Sequence, residues 1–312
     1  GDGTYRLFGQ KIFITYGEHD FSDNIVHLVL ARLPDAPPGT RGISLFLVPK
    51  FLVNDDGSLG RRNDVFCSGL EKKLGIHGSP TCTMIYGDGF DGGEPGAVGW
   101  LIGEENKGLA CMFTMMNNAR LAVGIQGVAI AEAATQKALA YANERRQGKA
   151  ADFSGEGMAP IVRHPDVQRN LLTMTALTRM ARAICYSCAH AIDMGRVAKD
   201  AEAAHWRDRA NLLTPLAKAF STDVGVEAAS LGVQVHGGMG FIEETGAAAF
   251  YRDARIAPIY EGTNGIQAID LVMRKLPQDG GEHVHTYIDE LVAIAAAART
   301  AEIAALGSTA DR

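Results

Sequence analysis

The chain has 312 residues, 46% hydrophobic and 21% charged, enough for two domains with a sizeable core. Lys+Arg 30 against Asp+Glu 36 leaves a net charge of −6, which argues against a general nucleic-acid-binding surface. No apolar run reaches about 18 residues, so no membrane span is expected, and five cysteines suggest no disulfide framework but a reducing, cytoplasmic setting.

Gly1-Asp2-Gly3 reads as a turn leading into a strand, and residues 308–312 trail off an alanine-rich segment, so the chain reads as a piece of a longer one. Thr4 to Phe8 and Lys11 to Thr15 are β-prone runs around Gly9-Gln10, which predicts a hairpin. Asn24 to Arg32 and Gly42 to Val48 are further strand candidates, separated by the proline-rich loop Pro34 to Gly39. Thr81 to Tyr86 is another, and Gly87 to Gly99 reads as too glycine-rich for a regular element. Short strands without crossover helices predict an antiparallel sandwich or barrel-like domain over residues 1–100. No Gly-x-Gly-x-x-Gly follows a strand, so a Rossmann site has no support.

From Leu109 the period becomes helical. Leu109, Phe113, Met116, Arg120, Val123, Gly127 and Ile130 recur at three- and four-residue spacing, and the pattern can run to Arg146. Gly124 and Gly127 each weaken a helix by about 1 kcal/mol, and small residues there suit the close approach of a second backbone. Gln147 to Ile161 reads as a loop, and Pro165 is well placed as a first helical residue. Ala201 to Val235 supports another helix, with Pro215 as a kink or boundary. Shorter helices are expected over Ala247 to Arg252 and Asn264 to Arg274, the latter with Asn264 as its cap and Gln267 three residues on. Val292 to Ile303 is helical by propensity. The fold class is therefore α+β, an antiparallel β-domain followed by a helical bundle at 109–276 and a helical extension at 277–312.

Candidate chemistry gathers toward the end of the bundle. Gln234-Val235-His236-Gly237-Gly238 ends a helix in a glycine turn, either a plain helix stop or a set of backbone amides facing an anion. Glu261 follows the apolar run Ile256 to Ile259 and precedes Gly262, Thr263, Asn264 and Gly265. Apolar neighbours desolvate a carboxylate and make it a better base, whereas a helix start opposes that trend. Thr263 and Asn264 suit either capping or a ligand. Phe13-Ile14-Thr15 closes an early strand, as ordinary sheet packing or as a wall beside a flat cofactor. Asn117, Asn118 and Arg120 share one helical turn, either a solvated face or an anion contact. Arg145, Arg146 and Lys149 form a short basic cluster. Cys185-Tyr186-Ser187-Cys188 lies mid-helix with no second pair, so two small core residues are the expectation, and no metal site is.

The ordered set Gly9 to Thr15, Glu71 to Gly75, Ile102 to Leu109, the glycine turn and Tyr260 to Thr263 resembles the acyl-CoA dehydrogenase family over residues 1–276. Within it, Gln147-Gly148 with the following insertion, and the segment after Leu276, resemble the 3-methylmercaptopropionyl-CoA dehydrogenase branch. The resemblance implies an FAD-dependent enzyme oxidising an acyl-CoA, with an electron-transfer flavoprotein as oxidant and a homo-oligomeric state. It implies a chain that begins inside the middle β-domain and lacks the N-terminal helices. By the same resemblance Glu261 is the base, and Phe13, in place of the commoner tryptophan, lies with Ile14 and Thr15 beside the flavin. Arg145, Gln234, Val235, His236, Gly237, Gly238, Gly262, Thr263, Asn264 and Gly265 would contact FAD, and Asn117 and Arg120 the acyl-CoA. An acyl-CoA oxidase, or a catalytically reduced flavin-binding relative, is the alternative.

Overall fold

The computed structural model describes residues 2–300, with the side chains of Asp91, Asn117 and Thr300 left aside. It divides into two compact units, Gly1–Asn117 and Asn118–Arg312.

Among the described residues of the first unit nine antiparallel strands form: β1 (Thr4–Leu7), β2 (Gly9–Thr15), β3 (Val26–Arg32), β4 (Ile43–Pro49), β5 (Phe51–Val53), β6 (Leu59–Arg62), β7 (Val65–Leu70), β8 (Thr81–Tyr86) and β9 (Ala97–Ile102). One sheet has the order β1-β9-β4-β3, a second β2-β8-β7, and β5-β6 make a separate hairpin. Leu7, Val29, Phe46, Val48 and Ala97 from the first sheet share a core with Val65, Cys82, Met84 and Tyr86 from the second. Inward-facing residues thus alternate with outward ones as in a two-sheet sandwich.

Two sequence expectations change here, and three strands are added. The hairpin around Gly9-Gln10 does not form, because Leu7 pairs with Ala97 in one sheet while Gly9 pairs with Tyr86 in the other. Gly9, at φ 129, lets the chain cross between sheets at that point. The run Gly87 to Gly99 is not wholly irregular, since β9 starts at Ala97. Gly99 belongs in that strand because a Cβ there would stand 2.8 Å from Leu7 Cδ1 and 2.9 Å from Val48 Cγ2. Strands β5, β6 and β7 are additional, and Asp56-Gly57 between β5 and β6 is the hairpin signal for that pair in the sequence.

Asp64 fastens the loop before β9. Its carboxylate accepts from the backbone N–H groups of Gly89 (2.9 Å), Phe90 (2.8 Å) and Gly96 (2.9 Å). Burial opposes its ionisation, but these three donors outweigh burial and hold the carboxyl below its ordinary range.

The helices are α1 (Gly108–Glu144), α2 (Pro165–Val197), α3 (Asp200–His236), α4 (Ala247–Ala254), α5 (Asn264–Asp270) and α6 (Glu282–Thr300), with a π-turn at Leu271–Lys275 after α5. The division between the two units falls inside α1. Pro165 opens α2 as expected. Pro215 does not end its helix; α3 runs through it, with Leu212, Leu213 and Ala217 buried around it. Residues 301–303 of the expected last helix lie outside the described residues.

The second unit buries small residues where its helices meet. A Cβ on Gly124 would stand 2.8 Å from the Ala217 carbonyl oxygen, and one on Gly127 2.2 Å from that of Ser221. Cys185 and Cys188 are fully buried beside this crossing, with their Sγ atoms 3.2 Å from Ser221 Oγ and 3.5 Å from Thr214 Oγ1. Burial pushes both thiols up, Cys188 to about 11, so they are inert core residues. No described helix is long and apolar enough to cross a membrane.

Candidate active site

Glu261 stands in a tight loop between α4 and α5. The loop is closed by its own backbone: Tyr260 N–H donates to Ile256 O (3.1 Å) and Asn264 N–H to Pro258 O (3.0 Å). Glu261 has φ 55 and Gly262 φ 86, so two consecutive residues take the left-handed conformation. For the glutamate this costs about 1 kcal/mol or more, and such strain collects where surrounding contacts impose a side-chain placement. The Glu261 side chain is half-buried.

Each residue after it has a definite task. Gly262 O accepts from Gln267 Nε2 (3.1 Å), and a Cβ on Gly262 would lie 3.0 Å from that nitrogen. Thr263, not Asn264, caps α5: its Oγ1 accepts from Ile266 N (3.3 Å). The reason is that Asn264 is fully engaged elsewhere. Its Oδ1 accepts from Lys218 Nζ (2.9 Å), and its Nδ2 donates to Ala219 O (3.1 Å), Thr222 Oγ1 (3.1 Å) and Asp223 Oδ1 (2.8 Å). Gly265 is exposed beside Thr263.

Two further groups brace the loop. The Tyr260 hydroxyl donates to Gln126 Oε1 on α1. Burial pushes this hydroxyl up, against the hydrogen bond and with the Glu261 charge. Arg120 on α1 forms a buried ion pair with Asp270 on α5 (Nη1 to Oδ2, 3.1 Å), and Arg274 reaches the other oxygen at 3.4 Å. The Arg120 Nε is buried without a partner. Arg120 is therefore tied to α5, the helix that follows the loop, and its guanidinium is committed to Asp270. Asn117 lies in α1, its side chain outside the described residues.

The remaining expected residues fall in two other places. Gln234 is exposed at the end of α3, and Gly237 and Gly238 continue it as an exposed turn with open space where a Cβ would stand. Val235 and His236 are buried; His236 stacks on Tyr141 at 4.4 Å and its Nδ1 lies 2.7 Å from Gly232 O. Those two side chains serve the core at the end of α3 and are not offered to a ligand. Arg145 is exposed just past α1.

In the sheet unit Phe13 takes φ 60 at a bulge in the β2–β8 pairing and is 67% exposed, while Thr15 pairs with Thr81 at the strand end. Ile14 and Thr15 line a hollow of 380 Å³ with Tyr16, His27 and Tyr86. Burial pushes the His27 imidazole down and the Tyr86 hydroxyl up to about 12, so both present neutral groups there.

A model of the acyl-CoA dehydrogenase C-terminal domain matches residues 106–276, more than half of the chain. The chain belongs to the acyl-CoA dehydrogenase family. It is 53% identical to the 3-methylmercaptopropionyl-CoA dehydrogenase of Ruegeria pomeroyi over 94% of this chain and 48% of that protein. To a butyryl-CoA dehydrogenase of Syntrophomonas wolfei it is 40% identical, over 97% and 50%. The solved structure of Caenorhabditis elegans ACDH-11 in complex with C11-CoA matches with a TM-score of 0.76 at 25% identity, covering 94% of this chain and 45% of that one. The chain thus spans about half the length of the curated relatives it matches. Acyl-CoA dehydrogenase family members are FAD-dependent flavoproteins. Glu261, its loop and Arg120 lie inside the matched acyl-CoA dehydrogenase domain, and Phe13 to Thr15 precede it.

Lys218, Asp270 and Gln126 were missed from the sequence. Lys218 had a legible signal, a lone lysine inside the apolar run Leu216 to Phe220. Asp270 and Gln126 had none, since their partners lie 150 and 134 residues away.

Proposed function

We propose that this chain carries the base and part of the cofactor site of an enzyme that removes the α- and β-hydrogens of an acyl-CoA thioester. The observation that carries this is Glu261, half-buried, held at a left-handed backbone position and braced through Tyr260, Asn264 and Asp270, within an acyl-CoA dehydrogenase domain. A thioester acidifies its α-hydrogen, and a carboxylate within about 2.6–3.2 Å of the carbon-bound proton's donor atom is a competent base. Glu261 takes that proton. The left-handed loop fixes where the carboxylate starts, so that positioning, rather than a search by the side chain, supplies much of the rate.

The residues present suit FAD in chemical kind. The exposed Gly237-Gly238 turn has open space above both glycines, so a pyrophosphate can approach its main chain beyond the Gly237 N–H, which donates to Gln234 O, and Arg145 offers an exposed cation. Gln234, Gly262, Thr263 and Gly265 flank those groups or the base. Phe13, Ile14 and Thr15 offer an exposed ring, an apolar side chain and a hydroxyl to a flat ring system. Bound FAD would accept the β-hydrogen as hydride. Arg120, committed to Asp270, would serve the site by holding α5, the helix that follows the loop.

The substrate we propose is a short acyl-CoA, with 3-methylmercaptopropionyl-CoA first among them on the likeness to the Ruegeria pomeroyi enzyme. An electron-transfer flavoprotein is the proposed oxidant, and a homo-oligomer the proposed state. The test is anaerobic titration of the full-length, FAD-loaded protein with a panel of acyl-CoAs, watching flavin bleaching. Bleaching by a short acyl-CoA, fastest with the methylthio compound, is the expected result; no bleaching by any acyl-CoA refutes the proposal. Rapid peroxide formation in air would make it an oxidase instead.

A further inference from the structure

Lys218 is an odd residue to bury. Its exposure is 0%, and burial pushes its ammonium down to about 8. Replacing a buried ionic group by an apolar one of similar volume is often neutral or stabilising, so packing alone gives no reason for an ammonium here. The charged groups facing it are Asp223 on α3 and Glu261 in the loop, which favour the cation, and Arg120 on α1, which opposes it.

What the ammonium touches is the Glu261 loop. Nζ donates to Asn264 Oδ1 at 2.9 Å, and the same asparagine donates to Ala219 O, Thr222 Oγ1 and Asp223 Oδ1. The Thr222 hydroxyl in turn donates to Lys218 O at 2.8 Å. Two turns of α3 therefore grip one side chain, three residues past Glu261. Without the lysine, the donor left for Asn264 Oδ1 is Thr222 Oγ1 at 3.3 Å, a hydroxyl already shared with Lys218 O. The grip would lose its shortest contact to that oxygen.

We infer that Lys218 is a positioning residue, whose ammonium acts through Asn264 to fix the 258–264 loop and so the place of the Glu261 carboxylate. This rests on the reading of Glu261 as the base. It differs from a packing role in one respect: removing the ammonium while keeping the volume should loosen the loop without weakening the fold.

The test is Lys218→Met, which keeps the length and apolar stem and deletes the donor. Hydrogen exchange in the full protein, without substrate, reads the loop independently of any activity. The amides of Tyr260 and Asn264, bonded to Ile256 O and Pro258 O, should exchange at least about tenfold faster, with α2 unchanged and the melting temperature equal or higher. The rate of flavin reduction by an acyl-CoA should fall on the order of tenfold or more, with ligand affinity within about twofold. Asn264→Ala cuts the same bond from the other side; it should reproduce the exchange change, and the double variant should add little. Should Lys218→Met not fold, the exchange in Lys218→Leu, which also lacks the donor, decides instead, because Asn264→Ala removes the bonds to Ala219, Thr222 and Asp223 as well. Unchanged exchange at Tyr260 and Asn264, or faster exchange with an unaltered rate, overturns the inference. A wild-type protein inert to every acyl-CoA would instead refute the proposed function, while the exchange measurement still decides whether the strut exists.

Discussion

Gly127 on α1 meets the backbone of Ser221 on α3 so closely that a Cβ would stand 2.2 Å from the serine carbonyl oxygen. Gly225 returns the contact, its Cβ position being 3.0 Å from Gly127 O. The crossing carries Lys218, Thr222 and Asp223 on the same stretch of α3, so its closeness also sets where Asn264 can be held.

Gly127→Ala should therefore destabilise the protein, although alanine is the better helix former. The propensity gain is about 1 kcal/mol, whereas overpacking against backbone costs about 1–3 kcal/mol and occasionally more. The clash wins, and Gly124→Ala, whose Cβ would sit 2.8 Å from Ala217 O, should cost less. Denaturant unfolding with unchanged slope checks both the sign and the order.

Asp270→Asn should cost more than either. Both side chains of the Arg120–Asp270 pair are buried, at 9% and 6% exposure, and the substitution leaves a buried guanidinium uncompensated. The expected loss is about 3–5 kcal/mol, read by equilibrium unfolding. A loss within the range of an exposed pair, below about 1 kcal/mol, would contradict the burial described.

Asp64 gives a pH prediction. Its folded carboxyl is held below the ordinary value of 3.8, so its contribution is present above that value and is lost as pH falls through the folded one. Asp64→Asn should lower stability at neutral pH and flatten the acid limb of the stability curve. Stability measured from about pH 6 to pH 3 checks this, and an unchanged acid limb would contradict it.

Lys218 gives the opposite limb. Its value is about 8 in the fold against 10.5 ordinarily, so below pH 8 the folded state pays to keep it charged. Between pH 8 and 10.5 the unfolded chain binds more protons than the folded one, and stability from this group rises with pH. The melting-temperature advantage of Lys218→Met over wild type should accordingly be largest at neutral pH and shrink as pH rises above 8. A constant difference across that range would contradict it.

What the sequence carried was local periodicity and order. The change of period near Leu109 and the proline at the start of α2 were legible because each depends on neighbours a few residues apart. At Gly124 and Gly127 only the small side chain was legible, since the backbones they meet, at Ala217 and Ser221, lie far along the chain. The strand crossing at Gly9 was not, since its two pairing partners, Ala97 and Tyr86, lie far along the chain in different sheets. Glu261 stood out by its place among motifs. Its supports did not: Asn264 looks like a cap until Lys218 is seen to claim it, and His236 looks like a site residue until Tyr141 stacks on it.

The central claim is that Glu261 is the base, and stopped-flow reduction of bound FAD by a good acyl-CoA substrate tests it most directly. Glu261→Gln keeps the volume and removes the basic oxygen; it should retain the fold and most cofactor affinity while nearly abolishing flavin reduction. Glu261→Asp should keep some activity, since a displacement of about 1 Å can cost on the order of 100-fold rather than everything. Near-wild-type flavin reduction in a folded, FAD-loaded Glu261→Gln protein would contradict the account and move the base elsewhere, with Glu244 tested before Glu243, which is already paired with Arg252.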